Sequence, residues 1–478
     1  MKRILFIVLL ALMLILSACS GQTTATQVSG TTQATAQVIV ANSDDTASNA
    51  AILPAGSQPG NGTAMQPPPG SGSSTTYTIT GAYEENGGSA TKTGETYTAA
   101  NQDESGVYVN NGGTLSLTKA TITTTGDTSS QDNSSFHGLN AAVLAAGGST
   151  ISLSDSTITT NGLGANGAFA TDSGSSVTLS NVTIKATGDG GHGVMATNGG
   201  VMTLTNVNMD TAGKNSGAIA TDRGGGTITV TGGTVTTSGQ DSPAIYSTGA
   251  ISVSGGTLSA SGAEAAVIEG ANSITLTDTS LSATKEKWGV LIYQSMSGDA
   301  QGTKGTFTMN GGKLEYTPAS GPLFYVTNST AVITLKGVTV ASCSSVLVKA
   351  SAGSWGSSGS NGGTVVFTAD NQSLKGDLVA DSISSIQLTL QNGSSLEGTI
   401  NADHSAKSAN LTLDASSSWS VTADSYLTSL SDTGGISGTS ITNINGNGHT
   451  VYYDASANHT LGGQTYTLNG GGYLKPAS

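Results

Sequence analysis

Val177-Thr178-Leu179-Ser180-Asn181-Val182-Thr183-Ile184, followed by Gly193-Val194-Met195-Ala196 and then by Met202-Thr203-Leu204, carries the pattern that decides the fold. Val177 and Leu179 alternate with hydroxyl residues at the period of a β-strand, which sends two apolar side chains to one face. Asn181 tolerates positive φ and so permits a tight bend into a second strand. Ile184 then returns an apolar side chain to the interior, and Gly193 to Ala196, a small residue with an apolar pair, marks a third strand. At Met202 the pattern begins again, 25 residues after Val177.

The first-strand signature recurs at Leu115-Ser116-Leu117, Ile151-Ser152-Leu153, Val177-Thr178-Leu179, Met202-Thr203-Leu204, Ile228-Thr229-Val230, Ile251-Ser252-Val253, Ile274-Thr275-Leu276, Phe307-Thr308-Met309 and Ile333-Thr334-Leu335. Successive starts lie 36, 26, 25, 26, 23, 23, 33 and 26 residues apart, a unit of 23 to 26 with longer intervals that carry insertions. Two residues past the second apolar position stand Lys119, Asp155, Asn181, Asn206, Gly232, Gly255, Asp278, Gly311 and Gly337, all but Lys119 suited to a left-handed bend. Three residues later the apolar side chain returns each time, from Ile122 and Ile158 to Leu314 and Val340.

A unit of this length holds three short strands and three turns. Stacked units pair each strand with its counterpart about 4.8 Å away and align inward side chains in ladders. The pattern predicts an all-β chain: a right-handed parallel β-helix, three short strands per coil, with a C-terminal β cap. The hand follows from the preference of parallel crossovers, and the left-handed hexapeptide helix, at about 18 residues per turn, does not fit. The signature persists at Leu388-Thr389-Leu390 and Leu411-Thr412-Leu413 and fades near Trp419, so the solenoid is assigned to 77–415 and the tail, 416–478, to the cap. That tail holds Tyr426, Tyr452, Tyr453, Tyr466 and Tyr473, rings able to cover an open sheet edge.

The chain starts differently. Lys2 and Arg3 precede an apolar run from Ile4 to Leu16 that is too short to span a bilayer comfortably, and Leu16-Ser17-Ala18-Cys19 follows. This resembles the lipobox of bacterial lipoproteins. The resemblance implies that 1–18 is a signal peptide, that Cys19 is lipidated after cleavage, and that the protein is held outside the cytoplasm on a membrane or cell-envelope surface. From Ser20 to Thr76 there is no aromatic residue, no Lys or Arg, only Asp44 and Asp45 for charge, and five of the nine prolines. Residues 19–76 therefore read as a lipid-anchored disordered tether, with a mean reach on the order of 40 Å for a flexible coil of this length.

Composition narrows the function. Lys plus Arg number 16, or 14 once Lys2 and Arg3 leave with the signal, against 30 acidic residues; the mature charge of −16 makes nucleic acid a poor partner. Two cysteines offer no disulfide framework unless Cys19 escapes lipidation, and Cys343 reads as a small core residue. The run of coils from about 107 to 415 resembles the pectin-lyase-like superfold, and its Thr/Ser/Gly texture is similar to bacterial adhesins and autotransporter passenger domains, without a transporter barrel. The resemblance implies a surface that binds, or an enzyme acting on acidic polysaccharide through paired carboxylates or a calcium cluster beside a basic residue.

The residues favour binding. Adjacent aspartates occur only at Asp44-Asp45, in the tether. His192, in Gly191-His192-Gly193, and His137 both precede a third strand and read as one recurring exposed turn. Asp172, Asn198 and Asp222 each follow an Ala-Thr pair and align as a ladder beside Arg223, the single arginine of the mature chain. Asp172, Asp222 and Arg223 are thus the alternative enzyme site, a polysaccharide lyase or hydrolase, but two carboxylates two coils apart supply too few oxygens for calcium, and no metal or cofactor is assigned. Regular Thr-x-Thr faces suit ice binding, but Lys185, Asn208 and Asp210 interrupt the array. The insertions, 125–136, 284–305 and 351–363, project from the solenoid. Their aromatic residues Trp288, Tyr293 and Trp355 are the candidate ligand contacts, for carbohydrate or for a host or neighbour-cell surface ligand, with the alternative that each insertion folds back over a coil edge. The expectation is a non-catalytic, adhesin-like or glycan-binding β-helix on the cell surface.

Overall fold

The computed structural model describes residues 77–477; the signal, Cys19 and the whole of the tether lie outside them. Each coil delivers one strand to each of three parallel sheets. Fourteen strands, from Ser89–Thr93 to Ser429–Asp432, form the first sheet, ten, from Thr96–Ala99 to Thr339–Ser342, the second, and twelve, from Thr80–Asn86 to Asp377–Ala380, the third. A fourth sheet of nine strands, beginning at Ser373–Lys375, carries the solenoid to Tyr473–Pro476. The fold is the parallel β-helix that the repeat predicts.

Register follows the sequence signature. Val177 pairs with Ile151 on one side and Met202 on the other, and Leu179 with Leu153 and Leu204, so the paired apolar positions become two continuous core rows. Strands of the first and second sheets alternate buried and exposed residues, as in Ile151 to Leu153 and Thr183 to Ala186. Burying such a leucine or isoleucine contributes about 2 to 3 kcal/mol, and the parallel ladder satisfies the backbone between coils. Phe324 stacks edge-on against Phe307 and Phe367 in the core, with centroids 5.7 and 5.8 Å apart.

All nine bend residues have φ between 48° and 70°, including Lys119 at 56°. Lys119 therefore obeys the bend it seemed to break: register, not residue type, imposes the left-handed conformation there. Where the bend is Asn or Asp the side chains bond along the stack, Asn206 Nδ2 donating to Asn181 Oδ1 (2.9 Å) and Asn181 Nδ2 to Asp155 Oδ1 (3.1 Å).

Several sequence expectations are corrected. Parallel coils continue past 415: Trp419 pairs with Leu396 and Ile444, is fully buried, and donates Nε1–H to the Gly398 carbonyl at 2.9 Å. The aliphatic pair itself ends at the next strand of the first sheet, where Leu430 pairs with Leu411 but Asp432 stands opposite Leu413. Of the C-terminal tyrosines, Tyr453 is in the core and Tyr466 is buried, while Tyr426 stacks outward between His404 at 4.3 Å and Tyr452 at 4.7 Å. Among the described residues only Ile436–Ser437 with Ser440–Asn445, and Tyr466–Asn469 with Tyr473–Pro476, pair antiparallel. Such reversals end a parallel stack. Cys343 is half-buried, not in the core.

The two histidines do not share an exposed turn. His137 ends a short helix, Gln131–His137, whereas His192 is buried, with Nδ1 3.0 Å from the Gly217 carbonyl oxygen. The insertion after Thr124 folds into that helix because Ser130 caps it, accepting from the Asn133 amide, and Gly138, at φ 77°, closes it. A Cβ at Gly138 would lie 2.6 Å from Leu144 Cδ1, so glycine also lets the helix end press onto the third sheet.

Candidate functional site

The third sheet differs from the other two: in Ala168–Thr171, Val194–Thr197, Ala266–Glu269, Val290–Tyr293 and Phe324–Thr327 every residue is buried, outward positions included. Its outward row reads Leu144, Phe169, Met195, Ala220, Tyr246, Val267, Leu291 and Tyr325. An apolar outer face asks for cover, and the insertions converge on it.

At one end lies the Gln131–His137 helix, whose Phe136 carbonyl accepts from Thr197 Oγ1 (2.8 Å) and from Asn198 Nδ2 (3.3 Å). Arg223 then connects two insertions: its guanidinium sits 3.9 Å over the Phe136 ring and pairs at 2.8 Å with Asp299. The second insertion is split by the strand Val290–Tyr293. The half before the strand places Lys287 between Asp241 (3.4 Å) and Glu264 (3.1 Å) and under the Trp288 ring. The half after it is a loop that Gln294 closes, its buried Nε2 donating to the carbonyls of Ala300 (3.1 Å) and Gly302 (2.8 Å). Asn361 does the same for the third insertion, donating Nδ2–H to Gly353 and Trp355 carbonyls at 2.8 Å each. Asn328 joins the two loops, its side chain donating to the Gln294 carbonyl (2.6 Å) and its amide to the Asn361 carbonyl (2.9 Å).

The sequence candidates Trp288, Tyr293 and Trp355 come together here. Tyr293 and Trp355 have ring centroids 4.6 Å apart, and Trp288 lies 4.6 Å from Tyr325 and 6.4 Å from Trp355. They do not stand free in solvent: of the two readings, it is the insertions folded back over the solenoid that the structure shows. Trp288 is half-buried, Trp355 keeps 8% of its surface, and Tyr293 is a strand residue with 1% exposed. Tyr293 donates its hydroxyl to Glu269 Oε2 at 2.8 Å, beside Tyr246 at 2.6 Å, and the Ser295 amide and hydroxyl serve Oε1. Burial and the facing Glu269 carboxylate push both tyrosine hydroxyls well above their usual range. Glu269 thus pins the second loop through Ser295.

Asp172, Asp222 and Arg223 do not form the expected ladder. Ala196 pairs with Thr221, which sets Asp222 level with Thr197, not with Asn198. A shift of one residue reverses the face of a strand. Asp222 is consequently buried, its carboxyl driven well above the usual carboxylate range by desolvation and by Asp299, whereas Asp172 is exposed and caps the Gly147 amide at 3.1 Å. Arg223, committed to Asp299 and Phe136, is not poised as a base. Among the described residues no group of three or more His, Cys, Asp or Glu side chains could hold a metal.

Beside the aromatic cluster the two loops leave a groove of about 800 Å³, lined by Ser295, Met296, Thr303, Asn328, Thr330 and Trp355, by serines and glycines of the third insertion, and by Thr364 on the strand that follows it. No lining side chain carries a formal charge. Met296, 48% exposed on its rim, holds φ 66°, a conformation costly for a residue other than glycine, and strain of this kind collects at binding sites. Hydroxyls, amides and an aromatic edge suit a polyhydroxylated ligand with one apolar face.

Comparison with protein-family models, curated proteins and solved structures finds no match.

The sequence reading missed Glu269, Gln294, Asn328 and Asn361, the residues that assemble the loops. Glu269 stands in a row with Thr171, Thr197, Asp222, Thr248, Tyr293 and Thr327, so only its register, not its residue type, sets it beside Tyr293.

Proposed function

We propose that the protein is a non-catalytic glycan-binding β-helix of the cell surface, adhesin-like, exported by the signal in 1–18 and anchored by a lipid on Cys19. The groove between the second and third insertions carries this reading, because its uncharged hydroxyl and amide lining offers hydrogen bonds in both directions beside the edge of Trp355. The lipobox-like Leu16-Ser17-Ala18-Cys19 supports the anchoring. The pectin-lyase-like resemblance supports a polysaccharide partner. The same geometry weakens the lyase or hydrolase alternative, since Asp222 is buried and Arg223 is paired.

A glycan array probed with the full mature chain in detergent, with mass spectrometry of every bound glycan, tests the proposal. Intact bound glycan supports it; shortened or unsaturated products would replace it with an enzyme, and an empty array would remove the glycan. Metabolic lipid labelling of wild type and Cys19→Ala tests the anchor, with label and membrane retention expected to vanish together.

A further inference from the structure

We infer that the groove takes an uncharged, extended oligosaccharide lying along the solenoid axis, an inference that rests on the glycan-binding reading and names its ligand class. The first argument is charge. The lining contains serine, threonine, asparagine, glycine, Met296 and Trp355 and no Lys, Arg, Asp or Glu, inside a chain of formal charge −14. A polyanionic glycan would approach against the field of the whole molecule and find no guanidinium or ammonium in the lining to offset the loss of its hydration. A polycation would find no carboxylate there. A neutral glycan meets neither penalty, and its hydroxyls match side chains that both donate and accept.

The second argument is spacing. Thr330 and Thr364 are direct partners on neighbouring strands of the first sheet, and Thr303 precedes the strand Lys304–Asn310 on the other side, where its carbonyl accepts from the Thr330 amide and from Ser329 Oγ at 3.1 Å. Lys304, not Thr303, is the residue level with Thr330, so the groove presents equivalent threonines on two adjacent coils, Thr330 and Thr364, at a rise of about 4.8 Å, with Thr303 one residue out of that register. That is close to the length of one pyranose in an extended chain, so two successive sugars meet equivalent hydroxyls. Trp355 closes one side and gives an apolar edge to the C–H face of a sugar. The carbonyls of Gly353 and Trp355 are held by Asn361, and Asn328 is fixed at its amide and its side chain, so the wall is organised before a ligand arrives.

Lys304 supplies the decisive control. It precedes Thr330 in the same strand register and is exposed, yet it is not part of the lining. Isothermal titration of the full mature chain with cellohexaose, mannohexaose and hexagalacturonate, at low and high salt, tests the inference with three variants. Binding of a neutral hexaose with a Kd indifferent to salt is expected. Thr330→Val, an isosteric change on a strand, should weaken it about tenfold, the loss of one good hydrogen bond. Trp355→Ala should weaken it further, and Lys304→Gln should leave it unchanged. Preference for hexagalacturonate, with affinity lost in salt and in Lys304→Gln, would overturn the inference while leaving glycan binding standing. Neutral binding indifferent to Thr330→Val and Trp355→Ala would place the ligand outside this groove and overturn it too. Binding of none of the three, together with an empty array, would bring down the glycan reading itself.

Discussion

His192 shows how a single buried side chain sets a property of the whole protein. Its Nδ1 faces the Gly217 carbonyl, so the ring donates there and is neutral, and burial lowers its pKa to about 4. The unfolded chain accepts a proton near the ordinary value of about 6.5 while the folded one refuses it. Stability from this site is therefore complete above that ordinary value and falls as pH drops towards the folded value. By pH 4.5 the loss is roughly 2 kcal/mol. Urea denaturation at pH 7 and 4.5 should show a larger acid loss for wild type than for His192→Gln, and equal losses would disprove the assignment. The residue scale is also where sequence reading was weakest. Gly191-His192-Gly193 resembles an exposed turn, and nothing local reveals that the turns of neighbouring coils stack tightly enough to bury the ring. Asp222 is a different failure, because the information was present. Ile184 to Met209 and Val194 to Ile219 are both spaced by 25 residues, and that count, unlike the matching Ala-Thr pair, puts Asp222 beside Thr197.

The elements that matter for binding are loops, each held by one buried amide, and Gly356 is the point at which their junction can be probed. It has φ 76°, and a Cβ there would lie 2.3 Å from Asn328 Oδ1. Asn328 cannot withdraw cheaply because its Nδ2 and its backbone amide each bond one loop. Gly359 has φ 85° with nothing within 4 Å of such a Cβ, so Gly359→Ala suffers the backbone penalty alone. That penalty is about 1 kcal/mol, and Gly356→Ala should cost about 1 to 3 kcal/mol more. Thermal melts of the two variants check the difference, and equal melts would mean that Asn328 is not the stitch between the loops. Strand elements were legible because inward position and bend recur coil after coil, each copy reinforcing the next. Insertions do not repeat. Sequence marked where they leave the solenoid and which aromatics they carry, but it could not show that Tyr293 belongs to a strand or that the insertions cover one sheet. The contacts that gather them, Arg223 with Asp299 and Asn328 with Gln294, lie 76 and 34 residues apart and follow no period.

At the scale of the molecule, the solenoid makes each coil depend chiefly on its two neighbours, so stability approximates a sum over coils and interfaces. Removing one coil should then leave a protein one coil shorter, provided the cut preserves register. Residues 232–254 meet that condition: Gly232 and Gly255 are equivalent bends with φ 67° and 70°, and Thr231 pairs with Ser254, so Thr231 can run directly into Gly255. The excision removes the Tyr246 hydrogen bond to Glu269 and the Asp241 partner of Lys287, but Tyr293 and Ser295 still hold Glu269, and Glu264 still holds Lys287. Arg223 and Asp299 come about one strand spacing closer, about 4.8 Å. The Arg223 side chain is 49% exposed and long enough to re-form the bridge, whereas Asp299 is 5% exposed, so losing the bridge would leave a buried carboxylate and lower stability. The groove loops, which lie beyond the cut, keep the bonds made by Gln294, Asn328 and Asn361. The expected product has an unchanged β signal per residue in circular dichroism, a Tm lower by a few degrees, and undiminished affinity for the glycan bound by the parent. A chain that fails to fold would show that the cover on the third sheet, not the coil, is the unit of stability. A folded chain without glycan affinity would place recognition on the removed coil and away from the two loops.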